Sequence, residues 1–165
     1  MITLIYNSES TPLNTFTLDV LKLIKDEITL PFRDNSVDRN LLFEVLQYIA
    51  SHTNFGDSKI ENEILLFFTQ HALELIKINH NVNFVLKGSN HHIYLAFGQH
   101  IKGKHINHKK IRIYFNDEII SFDKDGTLTG KDDLLIFFME ELYQAKMKSF
   151  YSEIGIENPQ QELMF

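Results

Sequence analysis

The residues VNFVLKGSNHHIYLAF, Val82 to Phe97, decide how this chain is to be folded. Apolar positions alternate on both sides of Gly88-Ser89-Asn90. Val82, Phe84 and Leu86 share one face, and Ile93, Leu95 and Phe97 share another. A period of two, broken by small turn-forming residues, predicts two short strands joined by a turn. Two further runs continue the pattern. IRIYF (111–115) puts Ile111, Ile113 and Phe115 on one face, and IISF (119–122) follows after Asn116-Asp117. The expected arrangement is a four-stranded antiparallel β-meander over about 82–123, with one face buried and the other wetter.

Upstream the period changes. ITLIY (2–6) reads as a short strand, rich in β-branched and aromatic residues. Leu18, Leu21, Ile24 and Ile28 then recur at helical spacing until Pro31. A second helix is predicted from Asn35 or Ser36, on Val37, Leu41, Leu42, Val45, Leu46 and Ile49. A third starts at Ser58-Lys59-Ile60-Glu61, where Ser and Glu have the spacing of a capping box. Its stripe is Ile60, Ile64, Phe67, Phe68, His71, Leu75 and Ile78. Downstream, Thr129-Gly130-Lys131-Asp132 carries a helix-start signal, and the last helix is predicted over about 131–152. Its first half, LLIFFM, is apolar all round and is expected to be well buried across the sheet. The tail 155–165 is polar and holds Pro159. The predicted class is α+β in a single domain over 1–165: a helical half over about 12–80, the meander, and a closing helix.

Bulk composition narrows the function. The chain has 165 residues and a formal net charge of −6, enough for one core and short for two. Its 44% hydrophobic content and 14 Phe argue against disorder. There is no Cys, which excludes disulfides, a thiolate nucleophile and a Cys-type zinc site, and fits a reducing compartment. MITLIYNSES lacks a basic region and a long apolar run, and the longest apolar run, Leu134 to Met139, is far below bilayer length. A cytoplasmic protein, without a membrane partner, is expected. The negative balance argues against nucleic acid, which needs clustered Lys and Arg. Charge is uneven, however. QHIKGKHINHKKIR (99–112) is basic, whereas Asp117, Glu118, Asp123, Asp125, Asp132, Asp133, Glu140 and Glu141 make 117–141 acidic.

The stretch FDKDGTLTG (122–130) is the one that looks like chemistry. Asp123-Lys124-Asp125-Gly126-Thr127-Leu128, following IISF, resembles the first motif of the haloacid dehalogenase-like phosphatases. That resemblance implies Asp123 as phosphoryl-accepting nucleophile, Asp125 as acid/base, and a nearby magnesium ion. The family needs several further parallel strands after this motif. Only 42 residues follow Asp123, and about half of them are the last helix. The same stretch, counted from Ser121 as position one, resembles an EF-hand or dockerin-type calcium loop. The resemblance implies oxygen ligands from Asp123, Asp125 and Asp132, with Gly126 at the bend. Ser121 stands where such loops carry Asp, and no second loop is present. The simplest reading is a strand, a turn on Asp125-Gly126, and a helix start.

His91, His92, His100, His105 and His108 fall close together, and His100, His105 and His108 share one predicted loop as candidate metal ligands. Lys102, Lys104, Lys109 and Lys110 oppose a cation there. His71, on an apolar stripe, reads as a hydrogen-bonded, half-buried residue. No nucleophile elbow and no Gly-rich phosphate loop is present, so neither catalysis nor a cofactor is expected.

The leading expectation is an acidic cytoplasmic binding protein. The closest functional type is a bacterial immunity protein that occludes the active site of a basic toxin such as a nuclease. Asp117, Glu118, Asp123, Asp125, Asp132 and Asp133 are the candidate contact residues, and the Phe-, Ile-, Asn- and Lys-rich composition suggests an AT-rich genome. The alternative is a metal-binding protein or hydrolase using the Asp123–Asp132 loop or the His91–His108 segment.

Overall fold

Leu86, Leu4, Ile113 and Ile120 lie side by side across the sheet, one from each of four neighbouring strands. This buried row organises the computed structural model, which describes residues 1–6, 16–27, 36–115, 118–130 and 132–153. The elements are β1 (Ile2–Tyr6), α1 (Leu18–Glu27), α2 (Ser36–Ser51), α3 (Lys59–Ile78), β2 (Phe84–Gly88), α4 (His91–Lys102), β3 (Ile111–Phe115), β4 (Glu118–Phe122), β5 (Leu128–Thr129) and α5 (Asp132–Glu153). The chain is α+β.

The sheet order is β2-β1-β3-β4-β5, with β1 parallel to both β2 and β3, and β4 and β5 added antiparallel. Each described strand alternates. Val85, Lys87, Arg112, Ile119, Ser121 and Thr129 are exposed on one face, while Phe84, Leu86, Ile111, Ile113, Ile120 and Leu128 are buried on the other. One face therefore carries the core, as one-sided burial of an amphipathic sheet requires.

The expected antiparallel meander is corrected in two respects. The N-terminal strand lies inside the sheet, between β2 and β3, and HIYLAF is not a strand but most of the first half of α4. The physical reasons are topology and capping. β2 and β3 run parallel on either side of β1, and parallel strands need a long crossover, which 89–110 supplies. Asn90 caps that crossover helix: its side-chain oxygen accepts the backbone N–H of His92 at 2.8 Å. Ile93, Tyr94, Ala96, Phe97 and Ile101 then turn inward at helical spacing. The basic segment 99–112 is not one loop either. Gln99 to Lys102 close α4, and His108–Lys110 form a short 3-10 turn before β3.

The first three helices stand as the periodicity predicts. In α1, Leu21 and Ile24 are buried; Ile28 lies outside the described residues. α2 buries Leu42, Val45, Leu46 and Ile49. At α3 the capping box is complete. Ser58 Oγ accepts the Glu61 N–H at 3.2 Å, and Glu61 Oε1 accepts the Ser58 N–H at 3.3 Å. The ends of its predicted stripe differ, since Ile60 and Ile78 are exposed. The last helix also departs from expectation: Ile136 and Met139 are exposed, so its first half is not buried all round.

One edge of the sheet is closed by a side chain. Gln47 Nε2 donates to the Lys87 carbonyl at 2.6 Å and Gln47 Oε1 accepts the Lys87 N–H at 2.9 Å. An amide thereby stands in for a further strand beside β2, whose edge groups would otherwise be open to another chain.

Asn90 is the most deeply committed polar residue, with no exposed surface. Its Nδ2 donates to the carbonyls of Ile49, His52 and Phe55 at 2.9, 2.9 and 2.8 Å. Asn90→Asp keeps the capping oxygen but sets an acceptor against those carbonyls. The expected result is a loss of about 3 kcal/mol or more of unfolding free energy, since buried carbonyls lose their donor and face a charge. Urea denaturation measures it; a change within about 0.5 kcal/mol would show that only the cap matters.

Candidate functional site

Tyr6, Gly88 and Phe115 are in register at the carboxyl ends of the parallel strands β1, β2 and β3. The chain leaves β1 toward β2 on one side and returns to β3 on the other. In open sheets with this reversal, the crevice beyond the carboxyl ends is where ligands bind. There the sequence Asn90-His91-His92 starts α4, and Asn90 orients both histidines.

A cleft of about 190 Å³ opens at this edge, lined by Thr53, Asp57, His91, His92, Glu141 and Gln144 among others. His91 Nε2 contacts Glu141 Oε2 of α5, and the same oxygen accepts the Tyr6 hydroxyl at 3.0 Å. Tyr6 Oη is also 3.4 Å from His91 Nε2. One carboxylate oxygen thus joins β1, α4 and α5. Burial, then the hydrogen bond and charge of Glu141, push the Tyr6 phenol up to about 12, so it remains a donor at neutral pH. On the other side, His92 Nε2 lies 2.6 Å from Asp57 Oδ1. His92 is 3% exposed, and its ring packs against Gly56, where a Cβ would come within 2.7 Å of the imidazole. Gly56 also has φ +115°, so both conformation and space reserve this position for glycine.

The side chains of Asp57 and Glu141 are 34% and 31% exposed. Each gives one oxygen to a histidine. Among the described residues Asp57 Oδ2 and Glu141 Oε1 accept no hydrogen bond. An ionised carboxylate accepts through both oxygens, so the cleft retains unused acceptor capacity.

The sequence-derived candidates are dispersed rather than gathered. Asp123 and Asp125 lie in the hairpin between β4 and β5, at the end of β4 remote from Glu118. A five-residue strand separates them by roughly 16 Å. Glu118 starts β4 at the carboxyl edge, pairing with Phe115. Asp117 lies outside the described residues, as do the side chains of Asp132 and Asp133 at the start of α5. The expected single acidic face is therefore split by the topology.

The Asp123–Thr127 segment is a turn held by its own carboxylate. Asp123 Oδ1 accepts the N–H groups of Asp125 at 2.9 Å and Thr127 at 3.0 Å, and the Asp123 N–H donates to the Thr127 carbonyl at 2.8 Å. Gly126 takes φ +79°. These bonds engage Oδ1 in holding the turn, as an Asx-type turn does.

The histidines also separate. His108 Nδ1 lies 2.9 Å from the Phe122 carbonyl, and His71 Nδ1 is 2.9 Å from the Phe67 carbonyl. His100 is buried against Thr69, with Nε2 2.9 Å from the hydroxyl oxygen. Thr69 Oγ1 donates to the Leu65 and Leu66 carbonyls, so its one proton is committed and His100 Nε2 must carry the ring proton. Among the described residues no group of three or more His, Asp or Glu could hold a metal ion. His100, His105 and His108, the candidate ligands, are not brought together as a set.

Tyr6, Asp57 and Glu141 were not candidates by sequence. They lie 85, 35 and 50 positions from their histidine partners. The readable signal was Asn90 followed by two histidines, a cap that fixes what comes next. No protein-family model, curated protein or solved structure matches the chain.

Two measurements separate these roles. Asp123→Ala is expected to lose about 1 kcal/mol by removing two backbone acceptor bonds, whereas exposed Asp125→Ala should change stability by less than about 0.5 kcal/mol. Equal losses, accompanied by a calcium-dependent rise in melting temperature, would restore the metal reading. For His100, burial first, and then the cationic neighbours His105 and Lys77, lower the pKa to about 4. A depressed histidine contributes stability that is present above its unfolded value near 6.5 and is lost as pH falls toward 4. About 2 kcal/mol of acid destabilisation over that window is expected, and His100→Gln should flatten it in urea titrations at each pH.

Proposed function

We propose that this chain is a binding protein for a basic protein partner, and that the contact centre is the carboxyl edge of the sheet. The reading of an immunity or inhibitor protein is retained, with its surface relocated. Asp57 and Glu141, supplemented by Glu118 at the same edge, replace the hairpin acids as the centre. One observation carries this: in a single cleft, Asp57 and Glu141 each retain one oxygen without a hydrogen bond among the described residues. A guanidinium or ammonium group supplies the missing donors, and charge-assisted bonds of this kind are stronger than neutral ones. The histidines hold the carboxylates in place, so little side-chain entropy is lost on binding. Capture of a nuclease would then proceed by occlusion, with a Lys or Arg of its substrate groove seated in the cleft.

The test is calorimetric titration against purified basic nuclease domains. Asp57→Asn with Glu141→Gln is expected to weaken binding about a hundredfold, because the cationic group seated in the cleft loses both counter-charges. Asp123→Asn with Asp125→Asn should change it less than about threefold, as expected for rim charges. Melting temperatures of each variant confirm that the fold is retained. Equal effects of the two pairs, or none from the first, would remove the cleft from the interface.

A second reading, an acid–base hydrolase, is favoured by the Tyr6–His91–Glu141 cluster, which draws on three separate elements at the crevice. A carboxylate that orients an imidazole is the arrangement of many general bases. Turnover of chromogenic ester or phosphodiester substrates that disappears in His91→Ala would support it over binding alone.

A further inference from the structure

Each of the two acids in the cleft has a histidine of its own. His91 Nε2 contacts Glu141 Oε2, and His92 Nε2 lies 2.6 Å from Asp57 Oδ1. The two histidines are consecutive residues in the first turn of α4. A serine or an asparagine also donates to a carboxylate, but histidine is the donor that changes its charge between about pH 5 and 8. With both rings neutral, these two pairs carry two negative charges. With both protonated, each carboxylate is cancelled by the imidazolium bonded to it, and the sum is zero.

Two opposing influences act on the rings. Positive charge is disfavoured at a helix N-terminus, where the backbone dipole already places a partial positive charge. The carboxylates oppose this, since an anion at hydrogen-bond distance favours the imidazolium. The surrounding groups leave that balance to the two pairs. From β1, Tyr6 sets its ring 5.5 Å from His91 and stays neutral, its phenol pushed up to about 12 by burial and by Glu141. Glu118, at the start of β4, is a further acid at this edge. His52, in the loop after α2, is engaged with the Tyr48 carbonyl. Among the described residues no Lys or Arg lines the cleft.

A proton and a bound cation therefore compete for the same negative charge. When a guanidinium occupies Asp57 Oδ2 and Glu141 Oε1, the carboxylates support an imidazolium less, and the helix start favours loss of its proton. By linkage the converse holds in equal measure: protonated rings weaken the bound cation.

The geometry points to a proton-gated cleft, which holds a cationic side chain at about pH 8 and releases it at about pH 5.5 as His91 and His92 neutralise Glu141 and Asp57. The gating rests on the reading of this cleft as a cation site. Affinity is full where the rings are neutral and is lost as pH falls through their titration.

Ethylguanidinium chloride tests this without a protein partner, because its charge, like that of arginine, is constant across the range. Its affinity for the full chain is measured by NMR titration at both pH values and fixed ionic strength, following the His91 and His92 ring resonances. Binding at pH 8 is expected to weaken about tenfold or more at pH 5.5. Added at about pH 6.5, the probe should also move both rings toward the neutral form, the proton release that linkage demands. His91→Gln keeps a donor near the position of Nε2 but takes up no proton, and should reduce the ratio of the two affinities. His80→Gln, at an exposed position before β2, should leave the ratio as it is. Circular dichroism at both pH values checks that each chain is folded. Equal affinity at the two pH values overturns the gating and leaves the cation site standing, as does a His91→Gln ratio equal to that of the natural chain. Binding that persists in Asp57→Asn with Glu141→Gln places the cation elsewhere and overturns both readings. Absence of binding at pH 8 overturns the gating, and the nuclease titration then decides the partner reading alone.

Discussion

The rest of the fold depends on one buried amide. Asn90 sits where the end of α2, the loop after it, the end of β2 and the start of α4 converge. Its amide nitrogen has two hydrogens and three carbonyl acceptors within hydrogen-bond distance, so at least one hydrogen is shared. Its oxygen simultaneously starts α4. No other side chain of this size donates and accepts in those directions without charge. Replacing the donors with water is not open to a site that has no exposed surface. Because the amide fixes the first turn of α4, it also fixes the directions of His91 and His92. The site geometry is inherited from a structural hydrogen bond.

That constraint explains why the sheet has two unlike ends. At the carboxyl edge, loops and helix starts converge, and side chains from β1, α4, α5 and the loop after α2 meet. At the opposite end, the β4–β5 hairpin closes on itself, with Asp123 satisfying its own backbone. There Asp123 Oδ1 orients its own turn, whereas Asp57 and Glu141 are oriented by histidines from another element. Setting, rather than charge count, distinguishes the two groups of acids.

Most helices were legible because their signals are local. The Ser58–Glu61 box, the stripes of α1 and α2, and the turn at Asp125-Gly126 each depend on residues a few positions apart. The stretch after Asn90 was misread because Ile93 to Phe97 is an unbroken apolar run, which satisfies a period of two and a helical period equally well. What decides between them is non-local: parallel strands on both sides of β1 demand a crossover. The order of the sheet is invisible to periodicity. The same limit hid the cleft, whose carboxylates are brought to the histidines only by tertiary packing. Among these neighbouring acids, the topology sets Glu118 and the Asp123–Asp125 turn at opposite ends of β4.

α5 was misjudged for a related reason. Apolar residues on all sides suggested complete burial, but a helix with two apolar faces can instead meet two different neighbours. Leu142 and Ala145 face inward, and Glu141 reaches the cleft on that same side. On the helical wheel Glu141 lies roughly 160° from Tyr143, almost diametrically opposite. One helix therefore has two unlike faces: the inner one completes the carboxylate cleft, and the outer one exposes Ile136, Met139, Tyr143 and Phe150.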